Sequence, residues 1–536
     1  MKGNKMNVGS FCFEAMLHQK FHIYAGGLGV VQAGLLKSGA RNDWPINLYG
    51  LGILWKRGYY DQRLDPSMGM VADYVPRQYG FLEDTGVKVE VEINGRSNLI
   101  RVWLLTPKVF GTAPFFLLDT DLEENDEPAR SITQCLYGGN ERTRLAQEIV
   151  LGVGGVRAFE KLDIPIDLYH GQEGHSVMIA LELLRKYLED GFSQEEAVKA
   201  TKQKFVATTH TPELAGNEEH DIGLMAEMGC FPQIPTTLAE SIGGNPFNMT
   251  VALLRLAKRV NAVSKLHLET TNKMWCRVEA RCPIVSVTNG VDADWQKPDF
   301  AKALTPFQLQ ETKAGHKRTL VEYIRKRTSV FLKEDILTMV WARRFSDYKR
   351  PWLALLDWPW LEKLLWSDKL QLVIAGKPHP NDMRSIYCLN DIYQKSLRVP
   401  NLVMLAGYER NQSEMLKAGS DLWLFTSRRP REACSTSGMS AALNGTLNLA
   451  CRDGWYEELP DEYFFPFGVY KPCRTEGEQD TTDYRDFTRA FQEAAGMYYS
   501  DKEAWYEKAL LAKKYVEENF TSDRMLADYI DLMYLP

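Results

Sequence analysis

The chain has 536 residues, of which 45% are hydrophobic and 25% charged, the composition of a globular protein long enough for two or three domains. Its formal net charge of -6 is small for that length, and Lys and Arg are scattered among acids with no basic stripe, so nucleic acid is not an expected partner. No apolar run approaches the roughly 18 to 20 residues that cross a bilayer, and the opening MKGNKMNVGSFCFEA lacks the apolar core of a signal peptide; a soluble, cytoplasmic protein with no membrane partner is expected. The nine cysteines are odd in number and irregularly spaced, and eight of them read as core or surface thiols. Neither Cys276 with Cys282 nor His18 with His22 has a second pair at zinc-ligand spacing, so no metal site is expected.

The first informative segment is YAGGLGVVQAGLLKSG, where Gly26, Gly27 and Gly29 introduce a helical pattern from about Val30. Glycines there let a ligand approach the backbone, and a helix amino end offers N–H groups to an anion; taken alone, the segment reads better as a tight turn without a ligand. Further on, apolar runs alternate with helical patterns: NLYGLGILW, DLYHG, FVATTH and PIVSVTN, then LTMVWA, LQLVIAG, LVMLAG and DLWLFT. That alternation predicts an α/β protein with two parallel sheets and crossover helices. The charged helix ETKAGHKRTLVEYIRKRT lies between the two sets, which places a division near residue 315: an N-terminal domain over 1–315 and a C-terminal domain over 316–536 with a closing helix. Ligands are expected outside the carboxyl ends of the strands.

Strand ends of the first set carry Glu173 and His175 in YHGQEGH, His210 in VATTHTPELAG and Asn289 in SVTNGVDADW. A lone histidine at such a position is commonly a hydrogen-bonded structural group, but three strand ends converging on one place favour a site. In the second set, ARRFSDYKR follows LTMVWA. Its Arg343, Arg344, Lys349 and Arg350 suit either a phosphate or a solvated helix start. RRPREACSTSGMSAALNG then joins DLWLFT to a short helix. Glu432 is placed to hold sugar hydroxyls, while Ser435, Thr436 and Ser437 with Gly438 form either an anion cradle or an ordinary helix cap; Cys434 and Ser440 are counted with them as substrate-binding. The polar stretch TEGEQDTTDYRD, 475–486, reads as a surface loop.

Taken in order, FEAMLHQKFHIYAGGLGVVQAGLLKSG, QEIVLGVGGVRAF, LYHGQEGH, TTHTPELAG, VNAVSKLH, VTNGVDADW, ARRFSDYKR, IAGKPHPND and RRPREACSTSGMSAALNG resemble the short bacterial and archaeal branch of the α-glucan (glycogen) phosphorylases nearly end to end. The resemblance implies a GT-B fold, two Rossmann-like domains facing a central cleft, and α-hexosyl transfer with retention. It implies that Gly26, Gly27 and Gly29 are the glycine loop at the substrate phosphate, that Arg344 and Lys349 are the phosphate-binding pair, and that Glu432 holds sugar hydroxyls. Asn289 and His210 match residues around the sugar, with the His210 carbonyl toward the anomeric carbon.

The family's signature continues from methionine to the lysine that forms the imine with pyridoxal phosphate; here Met439 is followed by Ser440, which cannot form it. Cys434 and Ser435 also depart from the family's Ser and Gly, and Gly171-Gln172 stands where the family has Leu-Asn. No cofactor is therefore expected. The favoured reading is a pyridoxal-independent retaining glycosyltransferase that takes an α-hexosyl unit from a nucleotide diphosphate sugar to an acceptor hydroxyl, with Arg344, Lys349 and the Ser435–Ser437 run stabilising the departing diphosphate. One alternative is a phosphorylase working with phosphate and glucose 1-phosphate; another is a noncatalytic sugar-binding or regulatory relative. The resemblance leaves a homodimer open.

Overall fold

The structure is a computed structural model and describes residues 5–41, 43–213, 216–470 and 473–535. The chain divides into two compact units, the first made of Met1–Tyr60, Tyr74–Asp292 and Ser522–Pro536, the second of Asp61–Asp73 and Ala293–Thr521.

The sheet of the first unit contains β1 (Met6–Phe11), β2 (Ile46–Ile53), β3 (Glu83–Ile93), β4 (Arg96–Leu105), β5 (Phe115–Asp119), β6 (Leu168–Gln172), β7 (Phe205–Thr208), β8 (Val260–Ala262) and β9 (Ile284–Ser286), in the spatial order β9-β8-β7-β6-β1-β2-β5-β4-β3. Strands β9 through β5 run parallel, while β3 and β4 form an antiparallel extension at one edge. The chain builds outward from β1 in one direction and then returns to β6 on its other side. The gap between the carboxyl ends of β1 and β6 is therefore the switch point at which α/β sheets bind ligands.

The sheet of the second unit contains β10 (Thr338–Ala342), β11 (Gln371–Ala375), β12 (Leu402–Leu405), β13 (Leu422–Phe425), β14 (Leu447–Cys451) and β15 (Phe465–Phe467), in the order β12-β11-β10-β13-β14-β15 with every pair parallel. That is the doubly wound dinucleotide-fold order, with its switch point between β10 and β13. These strands read as unbroken apolar runs because helices cover both faces; every residue of β10, β11, β12 and β13 is buried. On one face Leu320 and Ile324 from the helix Pro306–Thr328 pack with Val340, Val373 and Val403.

The first 73 residues also supply the second unit. The hairpin Asp61–Asp65/Gly69–Asp73 docks there through Gln62, whose Nε2 donates to Gly376 O at 3.0 Å and whose Oε1 accepts from Gly407 N at 3.1 Å.

Three sequence expectations need correction. Residue 315 lies inside the helix Pro306–Thr328, and the compact units separate between Asp292 and Ala293. That helix belongs to the second unit because its lysine face is buried there. Lys317 Nζ meets Asp421 Oδ2 at 2.6 Å, and Lys313 Nζ donates to Ala418 O at 2.8 Å and Thr446 Oγ1 at 2.6 Å. The stretch 475–486 is no loop; it opens the helix Glu476–Ser500, capped by Thr475 Oγ1 accepting from Glu478 N. Residues 522–536 return to the first unit: Ser522 packs where Gly34 has no side chain, and Arg41 bridges Asp292 and Asp523 at 2.6 and 2.7 Å. All nine cysteines are free thiols, and among the described residues no helix is long and apolar enough to cross a membrane.

Candidate functional site

At the switch point of the second unit, β10 runs into Arg343, and β13 runs into Thr426 and Ser427. Arg343 Nη2 donates to Glu432 Oε2 at 2.5 Å and Nη1 to Ser427 Oγ at 2.7 Å, while its guanidinium lies 4.2 Å from the centre of the Phe425 ring. Lys349 Nζ donates to both Glu432 oxygens at 2.9 and 3.2 Å, and Ser427 Oγ donates to Oε2 at 2.9 Å. The main chain is fixed as well, since Glu432 N donates to Asp453 Oδ2 at 2.8 Å.

Burial alone would raise the Glu432 carboxyl, but Arg343 and then Lys349 outweigh it and hold the group at about 2. Burial, reinforced by Arg343, lowers Lys349 to about 7 against the pull of Glu432. The result is an ionised carboxylate between two buried cations, with Arg344 exposed beside them. Such a cluster suits a polyhydroxyl ligand at Glu432 and an anion at the cationic edge.

Arg350 is not available to a ligand in the way its position after β10 suggests. It is fully buried, donates to Thr426 O at 2.7 Å, and pairs with Asp480 at 2.9 Å and Asp483 at 2.8 Å. The helix that sequence reading missed therefore clamps the two switch-point loops, an arrangement that Arg428 repeats by pairing with Asp480 at 2.8 Å.

The hydroxyl run begins the seven-residue helix Thr436–Ala442. Ser435 Oγ lies 3.0 Å from Ser437 Oγ, and Ser437 Oγ accepts from Trp423 Nε1 at 3.3 Å. Ser435 occupies the N-cap position without a side-chain capping bond. Ser440 Oγ donates to Thr436 O at 3.0 Å and Ser437 O at 3.2 Å, so its hydroxyl is engaged by its own helix. Cys434 is half-buried just before the run, and a Cβ on Gly438 would stand 1.9 Å from the Tyr456 hydroxyl.

The switch point of the first unit is different in kind. Glu173 follows β6 with φ of 62°, a left-handed conformation rare outside glycine, and its Oε1 accepts from His210 N and Thr211 Oγ1, each at 2.8 Å. Burial raises Glu173 to about 7 despite those bonds. His210 Nε2 donates to Gln172 Oε1 at 2.8 Å. Burial lowers His210 to about 3 and, with a smaller push from His210, His170 to about 3, so both imidazoles are neutral near pH 7. His170 pairs with Tyr534 Oη at 2.8 Å and Thr208 Oγ1 at 2.7 Å. His175 stacks on Phe13 with ring centres 4.2 Å apart, and burial lowers its pKa. Among the described residues His175 Nε2 and Asn289 Oδ1 are buried without a hydrogen-bond partner, which suits them to receive ligand hydroxyls.

The glycine loop has a partner that sequence reading overlooked. Glu14, buried just beyond β1, accepts from Ala25 N at 2.7 Å and Gly26 N at 2.8 Å through Oε2, and from Tyr137 Oη at 2.7 Å through Oε1. The helix starts at Gly27, and a Cβ on Gly29 would sit 3.0 Å from Tyr24 Cβ and 3.1 Å from Glu14 Oε2, so this glycine is required by packing.

A family model described as carbohydrate phosphorylase matches residues 299–481, the stretch that holds β10 to β15 and the Arg343–Lys349–Glu432 cluster. The chain is 39% identical to the uncharacterized protein MJ1631 of Methanocaldococcus jannaschii over 98% of its own length and 99% of that protein's. It is 28% identical to maltodextrin phosphorylase of Thermococcus litoralis over 98% of this chain and 70% of the relative. It is also 29% identical to glycogen phosphorylase of Aquifex aeolicus over 97% of this chain and 84% of the relative. The chain belongs to the carbohydrate phosphorylase family.

Within each unit, this phosphorylase-family chain gathers the residues singled out from sequence. Lys349 and Glu432 touch one another, the 435–440 run forms one short helix, and Glu173, His210 and Gln172 share one network. Arg344 is exposed, and Arg343 is the arginine bonded to Glu432. Its signal was the first basic residue after a fully buried strand, the one least able to reach solvent. Glu14, Ser427 and Asp453 had no comparable local signal.

Proposed function

We propose that this chain is a retaining α-hexosyltransferase of GT-B type that works without pyridoxal phosphate and takes its sugar from a nucleotide diphosphate donor. The observation that carries this reading is the coexistence of an intact cationic cluster, Arg343 and Lys349 around Glu432 with Arg344 near Lys349, with a hydroxyl at position 440 that is bonded to its own helix. A serine forms no imine, so the residues here do not fit a covalently held pyridoxal. The cations still suit a leaving anion. A diphosphate occupies about the space of two phosphate groups and brings its own leaving charge.

In this reading Glu432 receives sugar hydroxyls, as a carboxylate held ionised by Arg343 and Lys349 is suited to do. As the bond from C1 to the diphosphate oxygen breaks, negative charge grows on that oxygen, and Lys349 and Arg344 stabilise it. The acceptor oxygen bonds C1 from the same face, and its proton passes to the departing diphosphate.

A phosphorolytic reading is favoured by the names of the 28% and 29% identical relatives. The discriminating assay supplies UDP-, ADP- and GDP-glucose with a maltooligosaccharide and follows nucleoside diphosphate release, in parallel with maltooligosaccharide plus phosphate followed for glucose 1-phosphate. Diphosphate release alone supports the transferase. Glucose 1-phosphate formation without pyridoxal phosphate would replace it with a phosphorylase, and no turnover in either arm would favour a sugar-binding role.

A further inference from the structure

Next to Glu173 and His175, the first unit holds an unusual group of donors. One ligand atom from each of Glu148, Glu218 and His220 lies within 4.8 Å of the others. Glu148, on the helix Glu141–Ile149, is completely buried, and among the described residues neither of its carboxylate oxygens has a hydrogen-bond partner. His220 is buried too. Its Nδ1 lies 2.8 Å from Glu141 Oε1, and its Nε2, without a hydrogen-bond partner among the described residues, lies 3.6 Å from Glu218 Oε2. A carboxylate behind an imidazole in this way fixes the tautomer that binds metal.

Glu148 and Glu218 share one cation, Arg144, whose Nη2 lies 2.6 Å from Glu218 and whose Nε lies 3.1 Å from Glu148, and burial raises the Glu148 carboxyl well above the usual carboxylate range. Each carboxylate keeps lone pairs that Arg144 does not use. The guanidinium is also held in place by stacking 4.6 Å from the centre of the Phe13 ring.

We propose that Glu148, Glu218 and His220 bind one divalent first-row transition ion, Zn2+ or Mn2+, with Glu141 orienting the imidazole from behind. Imidazole and carboxylate donors without thiolate suit these ions better than Mg2+, and bonds of about 2.0–2.2 Å require adjacent donors about 3.0–3.5 Å apart, which a small closing of the present spacing provides. Donors at 148, 218 and 220 match no short metal-binding spacing, which is why sequence reading expects no metal. Burial favours a proton on Glu148, so metal entry displaces it and the apparent affinity rises with pH.

The test uses the full chain, stripped with chelator, incubated with Zn2+, Mn2+ or Mg2+, passed through a desalting column and analysed for metal together with its melting temperature. One ion of Zn2+ or Mn2+ per chain with a raised melting temperature is expected, and little Mg2+. His220→Gln and Glu148→Gln are each expected to lower retained metal at least about tenfold. If either variant fails to fold, the wild type loaded with Co2+ keeps the test decisive, because bound imidazole and carboxylate ligands give visible absorption bands at one equivalent. Wild type that retains no ion and gives no Co2+ bands, or a Glu148→Gln variant that gains stability and binds as much ion as wild type, overturns the proposal in favour of a proton-sharing carboxyl pair.

Discussion

The two switch points have the same topology and opposite electrostatics. Between β10 and β13 the second unit surrounds an ionised carboxylate with cations, and Glu432 is held at about 2 by Arg343 and Lys349 against its burial. Between β1 and β6 the first unit buries groups kept neutral: His210 and His170 at about 3, with Glu173 raised to about 7. A doubly wound sheet fixes only where loops converge; the residues just past the strand ends decide whether that place receives charge or hydroxyl groups. Here the second unit is suited to an anion beside a polyhydroxyl ligand, and the first to uncharged hydroxyl groups.

The contrast breaks most severely at Glu432. Glu432→Gln leaves Arg343 and Lys349 buried without their counter-charge, and about 3–5 kcal/mol of stability should be lost in urea unfolding. Turnover, measured under conditions where the variant remains folded, should fall at least about 100-fold.

A smaller effect appears as a pH dependence. Because Lys349 titrates at about 7, an anion that prefers its protonated form must take up a proton above that pH. Affinity for a nucleoside diphosphate should therefore be steady below pH 7 and weaken by about tenfold per unit above it, as calorimetric titration would record. Lys349→Met should bind more weakly and flatten the profile.

The matching test in the first unit is Glu173→Gln. The wild-type rate should show a titration near pH 7 from this raised carboxyl, and the amide should abolish it with a change in kcat/KM of about threefold to tenfold at pH 7. Ser440→Ala should do least. It removes a hydroxyl bonded only to carbonyls of its own helix, so stability should change by less than about 1 kcal/mol and turnover should persist.

What the sequence disclosed follows physical range. Buried parallel strands such as LTMVWA and DLWLFT are legible because their environment is uniform along the run. Glu432 and Lys349 are legible because they lie in the loops into which such strands run. The boundary near 315 fails because a helix that looks solvent-exposed buries Lys313 and Lys317 against carbonyls and Asp421, contacts with residues about a hundred positions away. TEGEQDTTDYRD looks like a loop for the same reason: its Asp480 and Asp483 answer Arg350 and Arg428, which no local window contains. Glu14 was invisible because its partners, Ala25 N and Gly26 N, are main-chain groups that carry no signature of their own.

The most direct test of the central claim is the thermal shift of the purified chain with UDP, ADP, GDP, glucose 1-phosphate, phosphate and pyridoxal phosphate, repeated on Glu432→Gln under conditions where it is folded, since a ligand that binds only the folded state raises its stability by mass action. The account predicts a clear rise with one nucleoside diphosphate, diminished in the variant, and none with pyridoxal phosphate. A rise with glucose 1-phosphate or pyridoxal phosphate and none with any nucleotide would contradict it.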